Sequence, residues 1–457
     1  MPAVTDGRRY VYPMSRAQQG APSGFRIARA LRDNALLAFP PEAFEEEVIV
    51  RSFLGRKRII LNRPSAIHHI LVENPGNYGR TAATIRMLRP LLGSGLLLSE
   101  GEAWKYQRRT LAPAFAPRTI PLLAGHVARS ADAAVVELAA ASARPVDLLT
   151  AMQSLALEIA GTSMFSLAME RFRPELRDLI IRYTAHLGRP TLLDFLLPLA
   201  IPSPRDFARR WVRRRWMKLI ARIIAERRRI APDTAPHDLF DLLSTACDPE
   251  SGAPFSAEEL ADQVATMISA GHETTALAMF WSLYFVAAAP AVQEQIAAEV
   301  GVLELCPDNA PVALARLVYT RAVVQETLRL YPPAFTMARR ARAADVAGGI
   351  PVPAGAVVLI APWVLHRHRR LWVQPDFFEP TRFLPDAPPP DRFAYLPFGM
   401  GPRVCIGAQF ALTEATLVLA KLIQAFHIER ADDQPVTPIA IVTTQPDHPP
   451  LFRLRRR

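Results

Sequence analysis

The sequence predicts a mainly α protein of the α+β class, on three observations. Residues 100–340 read almost throughout as helix. Strand-like, β-branched runs lie on either side: EEEVIVRSFLG and RKRIILNRP before, DVAGGIPVPAGAVVLIAP (345–362) after. One more helix-like run, AQFALTEATLVLAKLIQAF, follows Cys405. Helices and strands are grouped rather than alternating, which argues against βαβ units and for one domain over 1–457. Its β-rich part covers about 1–75, and its helical core about 100–340 and 395–430.

Half of the 457 residues are hydrophobic and 21% are charged, which excludes a disordered chain. Three scattered cysteines, Cys247, Cys306 and Cys405, exclude a disulfide scaffold and a four-ligand zinc module and fit a reducing cytoplasm. The net charge is +11, from 54 Lys and Arg against 43 Asp and Glu. Such a balance suggests an acidic partner, nucleic acid or an anionic membrane surface. Because the excess is nearly all Arg, a biased genome also accounts for much of it.

In chain order, the N-terminal MPAVTDGRRYVYPMSRAQQG carries early charges and no apolar run, so neither a signal peptide nor an anchor is expected. WKYQRR places Trp104 and Arg108 four apart on a helix, with Arg109 solvated or internally paired. Residues 209–229 hold ten basic residues and one acid. Val212, Trp216, Leu219, Ile220 and Ile223 recur there at helical spacing, so a surface helix with an apolar stripe on the core is expected, membrane contact being the lesser reading. No nucleic-acid module appears. The uncharged TTALAMFWSLYFVAAAPAVQ is long enough to span a membrane. Pro290 and the adjacent His272–Glu273 favour a buried core helix, so no integral span is expected.

Two segments carry chemistry. In AGHETT, Gly271 weakens the helix and the Thr274 hydroxyl competes for the backbone ladder, so a local widening is expected. A zinc H-E-x-x-H site fails because Ala276 stands where the second His belongs. In FGMGPRVCIG, Cys405 lies among glycines, with Arg403 two residues before it and a helix start behind it. That setting favours a thiolate. A cysteine nucleophile has no His near it in sequence.

The full pattern F-x-x-G-x-R-x-C-x-G, at Phe398, Gly401, Arg403, Cys405 and Gly407, resembles the haem-binding loop of the cytochrome P450 family. Other segments share the likeness. Glu326 and Arg329 in QETLRLYPP look like the family's E-x-x-R pair, and Arg382 in EPTRF like their third partner, with Thr381 where Glu is usual. AGHETT resembles the oxygen-activation segment, with Glu273 and Thr274 as acid and alcohol and Ala270 and Gly271 against the cofactor. Trp104 and Arg108 match a propionate-binding W-x-x-x-R; Arg339 and His366 match further propionate contacts, His366 with a plain structural role as the alternative.

The resemblance implies the P450 fold, one haem b and Cys405 as the iron ligand. It implies a monooxygenase inserting one atom of O2 into a lipophilic substrate such as a fatty acid, terpenoid or steroid. A substrate pocket is expected around Ile85, Met87, Leu88, Leu91, Leu96, Leu97, Ala270, Phe335, Thr336 and Met337. No flavin or iron–sulfur motif is seen, so electrons are expected from a separate ferredoxin and its reductase. The alternatives are a peroxide-dependent or isomerase-type haem-thiolate enzyme and a non-catalytic haem sensor. The Glu273–Thr274 pair argues against all of these.

Overall fold

The computed structural model describes residues 30–457 except Leu54 and 231–237; the N-terminal segment read above as lacking a signal or anchor lies outside the described residues. Strands β1 (Val48–Phe53) and β2 (Arg56–Leu61) form an antiparallel hairpin whose turn needs Gly55 at φ 73°. β2 runs parallel to β7 (Val357–Ile360), which pairs antiparallel with β4 (Met337–Ala341), and β4 with β3 (Tyr78–Arg80). The sheet order is thus β1-β2-β7-β4-β3. A hairpin of β5 (Asp345–Ala347) and β6 (Ile350–Val352) lies beside it. β8 (Phe426–Arg430), β9 (Pro438–Ala440), β10 (Thr444–Pro446) and β11 (Leu451–Arg456) follow in smaller sheets.

The helices between are α1 (Ala82–Leu92), α2 (Gly101–Leu111), α3 (Ile120–Ala141), α4 (Leu148–Phe165), α5 (Arg173–Arg182), α6 (Leu192–Leu196), α7 (Pro204–Arg228), α8 (Ala257–Ala287), α9 (Pro290–Gly301) and α10 (Val318–Leu330). α11 (Ala408–Ala425) follows the cysteine loop. Local chemistry sets several starts. Ser203 with Asp206 and Ser256 with Glu259 form capping boxes, and Thr81 caps α1.

No single helix among the described residues is long and apolar enough to cross a membrane. α8 and α9 together have the composition, but they meet at a 112° bend, and the apolar run from Ala276 to Val286 is buried. In α7 the five apolar positions of the stripe are all buried, as expected of a core-facing stripe.

Packing divides the helices into two cores. One joins α3, α4, α9, α10, α11 and the C-terminal half of α8 from Ala276 onward. The other joins the end of α4 with α5, α7 and the N-terminal half of α8, up to Ile268. The cores therefore part along α8 between residues 268 and 276, which is the AGHETT stretch.

A buried ion pair ties the long segment before the cysteine to α10. Glu326 and Arg329 are both fully buried, joined at 2.6 Å (Nε–Oε2) and 2.8 Å (Nη2–Oε1). Arg329 also donates to the carbonyls of His366, Pro375 and Phe377 at 2.7–2.8 Å. Glu326 accepts from the Glu379 amide at 2.8 Å and meets Arg382 at 3.5 Å. Removing one partner of such a pair strands a charge in the interior. Glu326→Ala is expected to cost about 3–5 kcal/mol, and Glu326→Gln less. Denaturant unfolding of both variants checks this, and an Ala variant as stable as the parent refutes it.

Candidate active site

On α8, nearly every residue from Leu260 to Val286 is buried. The accessible ones cluster at Ser269, Ala270, Gly271, Glu273 and Thr274, where the two cores part. The helix is regular there: Thr274 Oγ1 donates to the Ala270 carbonyl four residues back at 2.6 Å, and α8 continues to Ala287. The local widening expected from Gly271 and Thr274 is not present. The extra acceptor is shared by the ladder without breaking it.

The cysteine loop reaches the same divide. Phe398 and Phe410 pack on the first core and Ile406 on the second, while Met400 packs on the sheet. Gly399 and Gly401 take φ of 70° and 76°, and a Cβ on Gly401 would lie 2.1 Å from the Leu71 carbonyl oxygen. The Cys405 amide donates to the Phe398 carbonyl at 2.9 Å, and the Gly407 amide bonds the thiol. Gly407 also N-caps α11. Cys405 is exposed at the divide, yet the protein packed around it pushes its thiol up, while the Gly407 amide and the Arg108 guanidinium pull it back toward thiolate.

Beside this loop lies a cluster of cations. In the β3–β4 ladder Arg80 stands directly opposite Arg339. Burial, then Arg403 and Arg339, lowers the Arg80 pKa to about 9; burial, then Arg403, lowers that of Arg339 to about 10. Arg403 donates to the Ser99 carbonyl at 3.0 Å and lies over the Trp104 ring at 4.5 Å. The Glu100 carboxylate touches this group but is itself engaged by Arg342 at 2.7 Å. Three guanidiniums crowding one another with so little counter-charge suit a ligand bearing two carboxylates beside a thiolate.

Residues 42–451 match the profile of the family described as Cytochrome P450.

The chain belongs to the cytochrome P450 family.

It is 34% identical to the cyclooctatin synthase of Streptomyces melanosporofaciens, over 82% of this chain and 81% of that one. It is 32% identical to the cyclooctat-9-en-7-ol 5-monooxygenase of the same organism, over 83% and 82%. The crystal structure of the haem domain of cytochrome P450DA superposes with a TM-score of 0.78 at 27% identity, covering 90% of each chain. The mainly α architecture with a smaller sheet region is the P450 fold, the cofactor is haem b, and the enzyme is a P450 monooxygenase.

In this P450, Trp104, Arg108, Arg339, Arg403 and Cys405 gather around the loop, and Glu326, Arg329 and Arg382 behind it. Arg109 is internally paired, to Asp248 at 2.9 Å. His366 is different. It is fully buried, its Nδ1 lies 3.2 Å from the Arg329 carbonyl, and its Nε2 accepts from the Leu396 amide at 2.8 Å. Nδ1 must then carry the proton, and no nitrogen is left for a propionate. His366 is a structural link from α10 to the cysteine loop.

Two residues were missed. Arg80 has no motif of its own; only its register opposite Arg339 exposes it. Thr443 lies on the loop before β10 and donates to Glu273 Oε1 at 2.7 Å. Burial raises the Glu273 pKa, with the Thr443 bond opposing. Glu273 also lines a small cavity of about 50 Å3 of mixed character, with Gln153, Arg177, His272 and Gln445 beside Leu157 and Ile180. His272 Nε2 meets the Gln153 carbonyl at 2.8 Å, while Nδ1 is buried without a partner among the described residues.

Among the expected pocket residues, Ile85, Met87 and Leu88 are partly buried on α1. Leu91 and Leu96 belong to or pack on the second core, Phe335 is buried in the first, and Leu97 is exposed. Thr336 Oγ1 is buried without a partner among the described residues, and Met337 sulfur lies 3.6 Å from the position of a Cβ on Gly399.

Two outcomes are expected. Removing one charge from the cation cluster should speed haem loss: Arg80→Ala and Arg339→Ala should release haem roughly 10- to 100-fold faster, read as transfer to apomyoglobin. An unchanged rate for Arg80→Ala removes it from the set. The second concerns acid. Burial holds the His366 pKa at about 3, and protonation would set an N–H against the Leu396 amide. Between that value and the ordinary imidazole pKa the unfolded chain binds the proton and the folded one does not. The stability due to His366 is therefore present above the ordinary range and lost as pH falls through it. The melting temperature of His366→Gln should fall less than that of the parent between about pH 7 and about pH 5; parallel curves contradict it.

Proposed function

We propose that this P450 hydroxylates a lipophilic substrate bound at the divide between its two helical cores, with electrons from a separate ferredoxin and its reductase. The observation that carries the reading is the accessible stripe of α8, a short polar pair set between apolar walls. When bound, haem supplies oxygen activation and attack on the substrate C–H bond. The chain's own residues do the rest. Cys405 ligates the iron as thiolate, supported by the Gly407 amide. Arg80, Arg108, Arg339, Arg403 and Trp104 hold the propionates and so fix the tilt of the ring.

Proton delivery follows from the same helix. Thr274 Oγ1 gives its hydrogen to the Ala270 carbonyl and keeps its lone pairs to accept one. Burial raises the Glu273 pKa, which favours the protonated form that a donor needs. The small cavity behind it is large enough for water and offers Gln153, Arg177 and Gln445 as polar partners, so water there would recharge it from the α4–α5 side.

The pocket walls limit the substrate. Ala270, Met337 and the α1 side chains offer apolar surface and few polar contacts, which suits a fatty acid, terpenoid or steroid-like compound. Two relatives named for cyclooctatin and for an unsaturated cyclic alcohol support a cyclic one. The cytoplasm suits a chain of free thiols fed by a ferredoxin.

Reconstitution with a surrogate ferredoxin pair and a panel of lipophiles tests this. A substrate-induced spin shift followed by hydroxylated product with nicotinamide consumption is expected. Turnover with peroxide alone, and none with the reductase pair, overturns it. Glu273→Gln and Thr274→Ala should each form about 10- to 100-fold less product per nicotinamide consumed, with substrate binding unchanged.

A further inference from the structure

A single π-helical turn, His69–Glu73, continues the short helix Pro64–His68 and closes with the Asn74 amide on the His69 carbonyl at 2.8 Å. Such turns are rare and gather at functional sites. This one brings Glu73 within reach of two imidazoles at once. Its carboxylate lies 2.9 Å from His68 Nδ1 and 2.7 Å from His69 Nδ1.

His69 is held at both ends of its ring. Nδ1 meets Glu73 Oε2, and Nε2 meets Oδ2 of Asp345, the first residue of β5, at 3.0 Å. An ionised carboxylate only accepts, so both nitrogens have to donate and the ring has to be an imidazolium. A neutral ring would set a lone pair against one of the two acids. Asp345 Oδ2 is also the hub for two neighbours: Tyr78 Oη donates to it at 2.7 Å and Asn74 Nδ2 at 3.1 Å. Burial works against the His69 charge, but the bonds and charges of Glu73 and Asp345 outweigh it and leave the pKa raised. An open groove of about 470 Å3, walled by Ser65, His68, Glu73, Asp391 and Phe393, gives solvent access to His69.

The clamp joins pieces of chain that reach the cofactor side. The turn backs the cysteine loop, since a Cβ on Gly401 would lie 2.1 Å from the Leu71 carbonyl oxygen and 3.4 Å from Val72 Cγ2. Tyr78 opens β3, and the same strand carries Arg80 opposite Arg339. One ring therefore ties the backing of Gly401 to the strand of Arg80.

We propose that His69 is a positioning residue for the haem site: as an imidazolium bridging Glu73 and Asp345 it keeps the turn 69–73 against the cysteine loop and holds β3 in place for Arg80, and its deprotonation loosens both. The direction with pH follows from linkage. A group whose protonated form is favoured by the fold contributes fully below the ordinary imidazole pKa, and its contribution is lost as pH rises through the raised folded value. The hold on haem should therefore weaken on the alkaline side, whereas the contribution of His366 is lost on the acid side. The inference rests on the cofactor of the family and not on the substrate reading.

Transfer of haem from the loaded full chain to apomyoglobin, followed from about pH 6 to about pH 9, tests this, with the reduced-CO spectrum recorded alongside. The parent should release haem about fivefold faster at the alkaline end, with a growing share of the spectrum of lost thiolate ligation. His69→Gln, a neutral side chain, should release haem at the fast rate throughout and show no step. His69→Arg, which keeps a charge and several donors at every pH, should stay slow and flat. A merely structural role would slow or speed both variants alike and leave no difference in their pH profiles. A parent without the alkaline step overturns the proposal, and so does a step that persists in His69→Gln or in His69→Arg. If His69→Gln retains no haem at all, the parent profile and His69→Arg decide the question.

Discussion

Arg329 is the point from which the catalytic side of this protein is hung. Its charge is fully buried, and a buried guanidinium is tolerable only with its donors satisfied. Glu326 takes two of them, and the carbonyls of His366, Pro375 and Phe377 take the rest. Those carbonyls belong to a stretch with little regular structure, which could not otherwise hold one path. His366 carries the constraint onward, since its ring joins the Arg329 carbonyl to the Leu396 amide. The Leu396 carbonyl then accepts from Gly399, and Phe398 from Cys405. A single ionic demand on α10 thus reaches the cysteine through four short links.

The second constraint is the parting of the cores. A helix of 31 residues shared by two apolar clusters has to leave one cluster before joining the other. At that step its side chains need not be apolar, and here the sequence places Gly271, Glu273 and Thr274. The functional polarity therefore sits where the packing tolerates it. Glu273 still bears the mark of its surroundings, since burial raises its pKa above the ordinary carboxyl range and the Thr443 hydroxyl opposes the shift.

Legibility in the sequence followed contact range. The strands at 48–61, α11 behind Cys405 and the apolar stripe of α7 were readable because each rests on a local period. Glu326 with Arg329, and Trp104 with Arg108, were readable for the same reason, being one helical turn apart. Arg80 was not, because its meaning depends on facing Arg339 across a ladder that joins residues 259 positions apart. Thr443 reaches Glu273 over 170 positions and belongs to no motif. His366 was not legible as a structural residue, because only the fold shows that two backbone groups already occupy the ring. Pro-rich connections and long-range register leave no periodic trace.

The charge balance gains a different meaning once burial is known. An excess of +11 looks from composition like an invitation to an acidic partner. Yet Arg86, Arg209, Arg227, Arg329 and Arg367 are buried, and most of their work is internal. Arg86 closes a turn, Arg209 and Arg227 each bind two carboxylates, and Arg367 lies 3.8 Å over the Trp363 ring. Arg80, Arg339 and Arg403 crowd one another beside the cysteine loop with little counter-charge from the chain itself. Net charge therefore overstates what the surface offers to others. What remains outside is local: the exposed basic residues of α7 beside its exposed aromatics, where composition alone could not tell the core-facing stripe from the outer face. The structure separates them by side, with Val212, Trp216 and Leu219 turned inward and Phe207 and Trp211 turned out. One helix thus serves the second core with one face and presents the other to the outside, and the arginines between the two faces belong to the boundary.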